Sequence, residues 1–596
     1  MESSLQVEAE DFDFNGGQYI DNPVPTTSAA ANSYFGRVGV YAIDEFNNAA
    51  VPPYAGANPA NYRNTDPIAT TPVTDAARQQ FLDANTPDHN VGFLGPFFWQ
   101  NYTKTWPSGT FNVYARVASG AINPATIHLG FDQITGGWGA TAQFIKRIGG
   151  FTIPTSGGYS AYLYVPLMDK YGNYANVTPG GTNTFRATFA RSLGTSYPGD
   201  FGLNINFYML VAARTDMARV DDVYPDGSVV AQPTNTFSFV ASSPTYGIST
   251  NNIHLTLNGV DVSSNLTFVG SSASWNVRYT GLLPITAYTA VITITDNNNQ
   301  SHTNTINFST FDPNNYTWEA EDFDFNPDSS PAPNGSGLRF IDNPMPTSSV
   351  ATNSYFGQAG SLGIDYGTIF GDSSPGTYIY RSSDYVSTEV TSDGTRQKYI
   401  DAQLLNFDPT IADYDVNFWT NSWINYTRTF PAGNYYVYGR IAAATAFNLQ
   451  CAQVTGGWGT DTQTSEYLGT FRGTNTSFVN WQWVPLVNTN TGVPGGCFSR
   501  RNEYVPDDRR LSENVNFFQL VPVAPQVVNL TASLSGGNIV LTFPTQAGFN
   551  YSIEYKNSLT DSTWTPLSAR FRGDGSIKSA NDGAGRGARF YRLTIQ

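Results

Sequence analysis

An acidic octapeptide occurs twice, letter for letter, and it constrains the rest of the chain. Glu8-Ala9-Glu10-Asp11-Phe12-Asp13-Phe14-Asn15 returns as Glu319-Ala320-Glu321-Asp322-Phe323-Asp324-Phe325-Asn326. Further pieces return in the same order. Asp21-Asn22-Pro23 matches Asp342-Asn343-Pro344, and Asn32-Ser33-Tyr34-Phe35-Gly36 matches Asn353-Ser354-Tyr355-Phe356-Gly357. Trp99-Gln100-Asn101-Tyr102-Thr103 matches Trp423-Ile424-Asn425-Tyr426-Thr427, and Thr135-Gly136-Gly137-Trp138-Gly139 matches Thr455-Gly456-Gly457-Trp458-Gly459. Asn204-Ile205-Asn206-Phe207 matches Asn514-Val515-Asn516-Phe517. Two copies of one module therefore run over about 1–214 and 315–524.

Short alternating runs such as Phe111 to Val117, set between Gly, Pro, Asn and Asp clusters, predict strands throughout. Asp75 to Asp83 and Asp393 to Asp401 predict two short helices. Residues 215–314 carry a hairpin signal at Asn258-Gly259 and a strictly alternating run from Thr289 to Thr295. Their length and spacing suit an immunoglobulin or fibronectin type III sandwich. Residues 525–596 predict a small C-terminal β domain. The expected fold class is all-β: tandem jelly-roll β-sandwich modules plus smaller immunoglobulin/fibronectin-like β-sandwich domains.

Charged residues are only 13% of the chain, aromatics are 14%, and the formal charge is −16. Scarce Lys and net negative charge argue against nucleic acid and anionic membrane surfaces as partners. No apolar run approaches the roughly 18 residues that span a bilayer. The opening Met1-Glu2-Ser3-Ser4-Leu5-Gln6 carries no signal region, and the composition favours a mature or trimmed extracellular chain.

His89, His128, His254 and His302 occupy no shared module position. Zincin, nucleophile-elbow, redox and phosphate-loop motifs are absent. A non-enzyme is expected. Sequons stand at Asn101, Asn176, Asn425 and Asn475. The two cysteines both fall in the second copy, where Cys451 replaces Phe131 and Cys497 replaces Thr182. Their joint appearance suggests a disulfide in an oxidising compartment, against two buried free thiols as the alternative.

The opening Glu-Ala-Glu-Asp, Asn90-Val91-Gly92-Phe93 before the Trp99 strand, Thr-Gly-Gly-Trp and the closing Asn-Ile-Asn-Phe together resemble family 6 carbohydrate-binding modules and their relatives, which are jelly-roll sandwiches. The resemblance implies a sugar held between two loop aromatics, here Phe93 with Trp138 and Phe418 with Trp458, with Asn204 and Asn514 bonding its hydroxyls. It also implies a structural Ca²⁺ held by the opening Glu pair and the last strand. Here that set is Glu8, Glu10 and Asn206, and Glu319, Glu321 and Asn516, with Asn standing where the family has Asp. Trp99 and Trp423, inside alternating strands, are expected in the core. Trp138 and Trp458, between glycines, are expected at the surface.

Two functions follow as expectations. One is polysaccharide or glycan binding through tandem modules. The other is a structural subunit of a self-assembling extracellular fibre, a homo-polymer joined through strand or loop contacts. About eighty residues separate the Glu pair from Phe93, more than a compact family member needs. Tyr62-Arg63-Asn64-Thr65-Asp66 within them matches Tyr380-Arg381-Ser382-Ser383-Asp384.

Overall fold

Among the described residues, twelve strands build the first module: β1 Leu5–Glu8, β2 Glu45–Phe46, β3 Ala69–Pro72, β4 His89–Gly92, β5 Trp99–Trp106, β6 Phe111–Ser119, β7 Ile127–Gly136, β8 Phe144–Ile153, β9 Leu163–Pro166, β10 Asn176–Val177, β11 Gly181–Ala190 and β12 Leu203–Ala212. In this computed structural model the residues outside description are 1–4, 47–61, 64–65, 67, 76, 83–85, 93, 95–97, 121–126, 191–202, 327–338, 348–352, 368–379, 382, 394–395, 397–398, 400–411, 419–421, 432–433, 475–476, 489–501, 504–512, 524–527, 547–548, 574–575, 584–586 and 596.

Period-2 alternation puts one side of each strand inward. A seven-stranded sheet runs β10-β6-β12-β4-β3, with β1 added to β12 and β9 to β6; a five-stranded sheet runs β2-β5-β11-β7-β8. Val113, Ala115, Val117, Ile205 and Leu210 of the first sheet meet Tyr102, Trp106, Leu129, Phe131 and Phe185 of the second in one core.

The second module repeats the scheme around its own core of Trp318, Val416, Phe418, Ile441, Phe471 and Phe518. There Thr464–Gly473 also pairs with Ser477–Val487, joining the two layers into one eleven-stranded sheet. The first module makes only an isolated bridge between Gly150 and Met168 at the matching place.

Residues 218–308 form two four-stranded sheets around a separate core that includes Phe237, Val277 and Ile292. Asn258 (φ 50°) and Gly259 (φ 79°) make the expected tight turn, with Leu257 opposite Val260. Two further small sheets enclose Leu541, Phe543 and Tyr551 at the C-terminal end.

The predicted helix at Asp75–Asp83 is instead a 3-10 turn at Gln79–Phe81. Most of its counterpart lies outside the described residues. A helical stretch here would need its own apolar stripe, and these residues spend their side chains on the sheet beneath them. Among the described residues no helix is long and apolar enough to cross a membrane.

The inserted Tyr-Arg-x-x-Asp pieces explain why the octapeptide is repeated so faithfully. Arg63 Nη1 donates to Phe12 O at 2.7 Å and Nη2 to Asp13 O at 3.2 Å, while Nε pairs with Asp66 at 2.7 Å. Arg381 does the same with Phe323 O at 2.8 Å, Asp324 O at 3.2 Å and Asp384 at 2.9 Å. Each guanidinium lies over the octapeptide's own first Phe ring, at 3.8 Å for Phe12 and 3.7 Å for Phe323. A buried cation is tolerated only when such partners satisfy it. The insertion therefore clamps the segment directly after β1.

The joints between domains are closed by specific contacts. Tyr171 of the first module packs against the core of residues 218–308, and Asn173 exchanges two hydrogen bonds with Val220, at 2.6 and 3.1 Å. On the other side Phe311 stacks on Trp483 at 4.1 Å and meets Tyr438 edge-on.

Candidate functional site

Trp138 stands in the turn between β7 and β8, and that turn is moulded by glycine. Gly139 has φ +68°, and a Cβ there would meet Gly16 O at 3.1 Å; a Cβ on Gly17 would meet Gly139 Cα at 3.2 Å. The turn is thus seated on the loop that follows the octapeptide. Asp44 holds that loop by accepting from Gly16 N at 2.8 Å and Gly17 N at 2.5 Å. Trp138 is left 62% exposed at the edge of a cleft of about 320 Å³.

Tyr19, Asp13, Thr103, Thr184 and Gln143 are among the other residues lining this cleft. Asp13 accepts from Thr103 N at 2.7 Å and from Thr103 Oγ1 at 2.5 Å. Burial pushes its carboxyl up to about 7, against the lowering effect of those bonds. Asn101 Nδ2 donates to Ile43 O at 2.8 Å and to Gln143 Oε1 at 2.9 Å. A flat indole face beside hydroxyls, an amide and a carboxyl is a chemistry for stacking on an apolar ring face and bonding its polar rim.

The second module repeats this network. Thr427 donates to Asp324 from N and Oγ1, both at 2.7 Å, and Asn425 Nδ2 reaches Ile364 O at 2.7 Å and Gln463 Oε1 at 3.1 Å. Trp458 is 41% exposed in the equivalent turn.

Trp138 and Asn204, expected to serve one sugar site together, are not brought together. β11 pairs with β5 from Gly181↔Trp106 at one end to Thr188↔Trp99 at the other, and β7 reaches its turn at the Gly181 end. Asn204 lies opposite Ala118, near the far end of β6. Trp138 and Asn204 thus sit at opposite ends of the sandwich. Phe93 itself lies outside the described residues.

Around Asn204 the structure gathers other groups. Its Nδ2 donates to Tyr159 O at 3.1 Å, and Asn90 Nδ2 donates to Tyr162 Oη at 3.3 Å. Tyr159, 49% exposed, was missed by sequence reasoning. The signal was present in Gly157-Gly158-Tyr159, a second Gly-Gly-aromatic run.

In the second module two expectations are corrected. Phe418 is a core residue, 2% exposed, because its alternation partner Val416 faces the same sandwich interior across the strand's twist. Asn514 is also buried, at 7% exposure, opposite Asn417. Trp99, expected in the core, is buried instead on the outer face of the five-stranded sheet beneath Arg186, and Trp423 is half-buried against the second core. Asn101 and Asn425 are buried sheet residues, which removes them as glycosylation sites.

The acidic strands form a second site on the outer face of the large sheet. Glu8, Glu10 and Asp88 each bring one carboxylate oxygen within 4.8 Å of the others, as do Glu319, Glu321 and Asp413. Asp88 and Asp413 come from the insertions and were not anticipated. Arg78 Nη1 donates to both oxygens of Glu8, and Arg396 Nη1 to Glu319 Oε2 at 2.6 Å. Burial pushes Glu8 up to about 7, with Arg78 opposing, and holds Glu10, Glu321 and Asp413 well above the usual carboxylate range. Buried oxygens without a hydrogen bond include Glu10 Oε2 and Asp88 Oδ1, and both Oε of Glu321 with Asp413 Oδ1. An oxygen-only set with such orphaned atoms fits a hard cation such as Ca²⁺.

Asn206 departs from its expected role as a ligand. A bulge between Ile205 and Phe207 turns it toward Asp88, to which Nδ2 donates at 3.0 Å, but its Oδ1 already accepts from Arg116 Nη1 at 2.6 Å. The anticipated Cys451–Cys497 bridge has one end, Cys497, outside the described residues. Cys451 packs against the second core, and burial pushes its thiol up to about 12.

No family model and no curated protein matches this chain. Among solved structures, it is similar to the C-terminal family 6 carbohydrate-binding module of LamC, a marine laminarinase from Zobellia galactanivorans, at 16% identity over 35% of this chain and 99% of that one, with a TM-score of 0.19. A β-1,3-glucan-binding family 6 module from Bacillus halodurans is similar at 17% identity over 24% and 86%, with a TM-score of 0.18. A Paenibacillus xanthan lyase is similar at 8% identity over 89% of this chain and 55% of its own length, with a TM-score of 0.14. At these scores the likenesses carry no argument about function. The all-β sandwich architecture rests on the sheets and cores described above.

Proposed function

We propose that this protein binds carbohydrate without transforming it, as an extracellular chain with two binding modules. The observation that carries the reading is Trp138, exposed at the edge of a polar-walled cleft. Trp458 and its matching hydrogen-bond network supply a second place of the same design. Among the described residues that line the cleft, Asp13 is the one carboxylate. Glycoside hydrolysis ordinarily uses two, about 5–9.5 Å apart, so the cleft is suited to holding a sugar rather than cleaving it. Two linked sites would raise avidity for a polymer over a short oligosaccharide.

The test is affinity electrophoresis and calorimetry against a panel of soluble polysaccharides, β-1,3-glucan among them. The paired substitution Trp138→Ala and Trp458→Ala should abolish retardation of the wild-type ligand. Retardation that survives both substitutions sinks the reading.

A further inference from the structure

One aromatic seat is built twice in this chain and filled once. In the second module Trp483 lies opposite Arg440, meets Phe517 edge-on at 5.5 Å and is stacked by Phe311 at 4.1 Å. Tyr438 and Val521 flank it, and Val230 and Ala231 close the joint from the 218–308 sandwich. In the first module Tyr164 lies opposite Arg116 and meets Phe207 edge-on at 6.1 Å. Tyr114 and Val211 stand at the places of Tyr438 and Val521 in the same strand pairing. Yet Tyr164 is 56% exposed. An exposed ring whose copy is the floor of a domain joint is a surface shaped for a protein domain.

The C-terminal domain carries a face that complements it. Residues 525–596 hold seven Lys and Arg against four Asp and Glu, whereas residues 1–314 hold 13 against 22. The strand Asn550–Lys556 sends Tyr551 and Ile553 into the core, so Glu554 and Lys556 leave on the outer side, opposite Arg592 and Phe590. Trp564 lies against both cations, its ring centroid 5.1 Å from Lys556 Nζ and 4.5 Å from the Arg592 guanidinium. Phe571 packs inward, so its neighbours Arg570 and Arg572 leave on the same outer side, and both are exposed. Glu554 is paired with Arg592 at 2.6 Å, which leaves the face basic and aromatic.

We propose that the aromatic face around Tyr164 receives the basic face of the C-terminal domain of a second copy of this chain. Cations set over tyrosine rings, and opposite net charge on the two sides, give the contact both attraction and direction. The two faces differ and lie in different domains, so the contact is heterologous. Each pair of chains still has one face of each kind open, and repetition extends the series unless the rotation closes a ring. The inference is independent of sugar binding.

The test is sedimentation velocity of the full chain at rising concentration in about 0.15 M salt, where repulsion between charges more than about 8 Å apart is screened. Species larger than a dimer are expected. Tyr164→Ala and, in a separate chain, Arg570→Glu with Arg572→Glu should each weaken association by about tenfold or more. All three positions are exposed, and circular dichroism checks that each variant is folded. Mixing the two variant chains decides the arrangement. Each keeps the face that the other lacks, so the mixture should form one-to-one pairs that grow no further. A wild-type chain that stays monomeric at the highest concentration overturns the proposal. Association that survives either variant, or a mixture that fails to pair, overturns it equally.

Discussion

The Arg186 guanidinium lies flat over the Trp99 ring, 3.6 Å from its centroid, on the outer face of the five-stranded sheet. Its Nε donates to Asn101 Oδ1 at 3.0 Å and its Nη2 donates to Gln143 Oε1. Both acceptors line the Trp138 cleft, so Arg186 supports the cleft floor from beneath. Burial lowers this arginine to about 9, with Asp132 opposing the shift. Arg186→Ala should cost about 3 kcal/mol, because two buried acceptors lose a charged donor and the Trp99 face loses its cover. Denaturant unfolding of the full chain should show one transition moved to lower denaturant while the others hold. A variant that unfolds like wild type would show that the floor is self-supporting.

The proposed sugar binding should map to one end of the sandwich. Trp138→Ala should weaken a ligand held in the first cleft by about 2 kcal/mol, roughly thirtyfold, as loss of a buried aromatic anchor does. Tyr159→Ala removes the exposed ring at the opposite end and should change affinity less than twofold. Titration calorimetry of both variants, each with Trp458→Ala to silence the second module, reads the difference. The reverse ranking would place the ligand at the Asn204 end.

Strand identity and the repeat were legible because both are local: alternation is written residue by residue, and the octapeptide is written twice. The exposure of Trp138 was legible for the same reason, since flanking glycines cannot cover an indole. Which residues share an end of the sandwich was not, because it depends on how many strand reversals separate them. Trp138 was grouped with Asn204 by motif, whereas the pairing of β7 with the start of β11 carries it away. The acidic site failed differently. Glu8 and Glu10 lie two residues apart in one segment and could be read together, but Asp88 arrives from an insertion whose path no periodicity reveals. The bulge that aims Asn206 at Asp88 is likewise a property of the β6–β12 pairing, not of Asn206's own neighbours.

The joint between the 218–308 sandwich and the second module should loosen on Phe311→Ala. Phe311 is 1% exposed and stacked nearly parallel to Trp483, with Ala231 and Val521 completing the contact. Truncating a buried Phe costs about 3–4 kcal/mol where the site cannot collapse. Small-angle scattering should show a broader distribution of maximal dimensions, while circular dichroism of the sheets stays unchanged. An unaltered scattering profile would mean that Tyr438 and the flanking chain suffice to hold the two domains in line.

Stability should fall as pH rises from about 4 to 7, the reverse of the usual acid loss. Asp13 and Asp324 are fully buried, and burial raises each carboxyl from 3.8 to about 7, with the Thr103 and Thr427 bonds opposing, together with Arg428 for Asp324. Between those values the fold keeps protons that the unfolded chain has released. The native state then binds more protons, so unfolding becomes easier with each step upward in pH. The contribution is complete below about pH 4 and is lost once pH passes the folded value near 7. The shift corresponds to on the order of 4 kcal/mol per group. In calcium-free buffer the thermal midpoint should therefore be higher at pH 5 than at pH 8. The double substitution Asp13→Asn and Asp324→Asn keeps the oxygen that accepts from the Thr103 and Thr427 amides and removes the ionisation, so it should flatten most of this slope. A slope unchanged in the double variant would assign the pH dependence to the other buried carboxyls, Glu45 and Glu513 among them, which burial lifts to about 8.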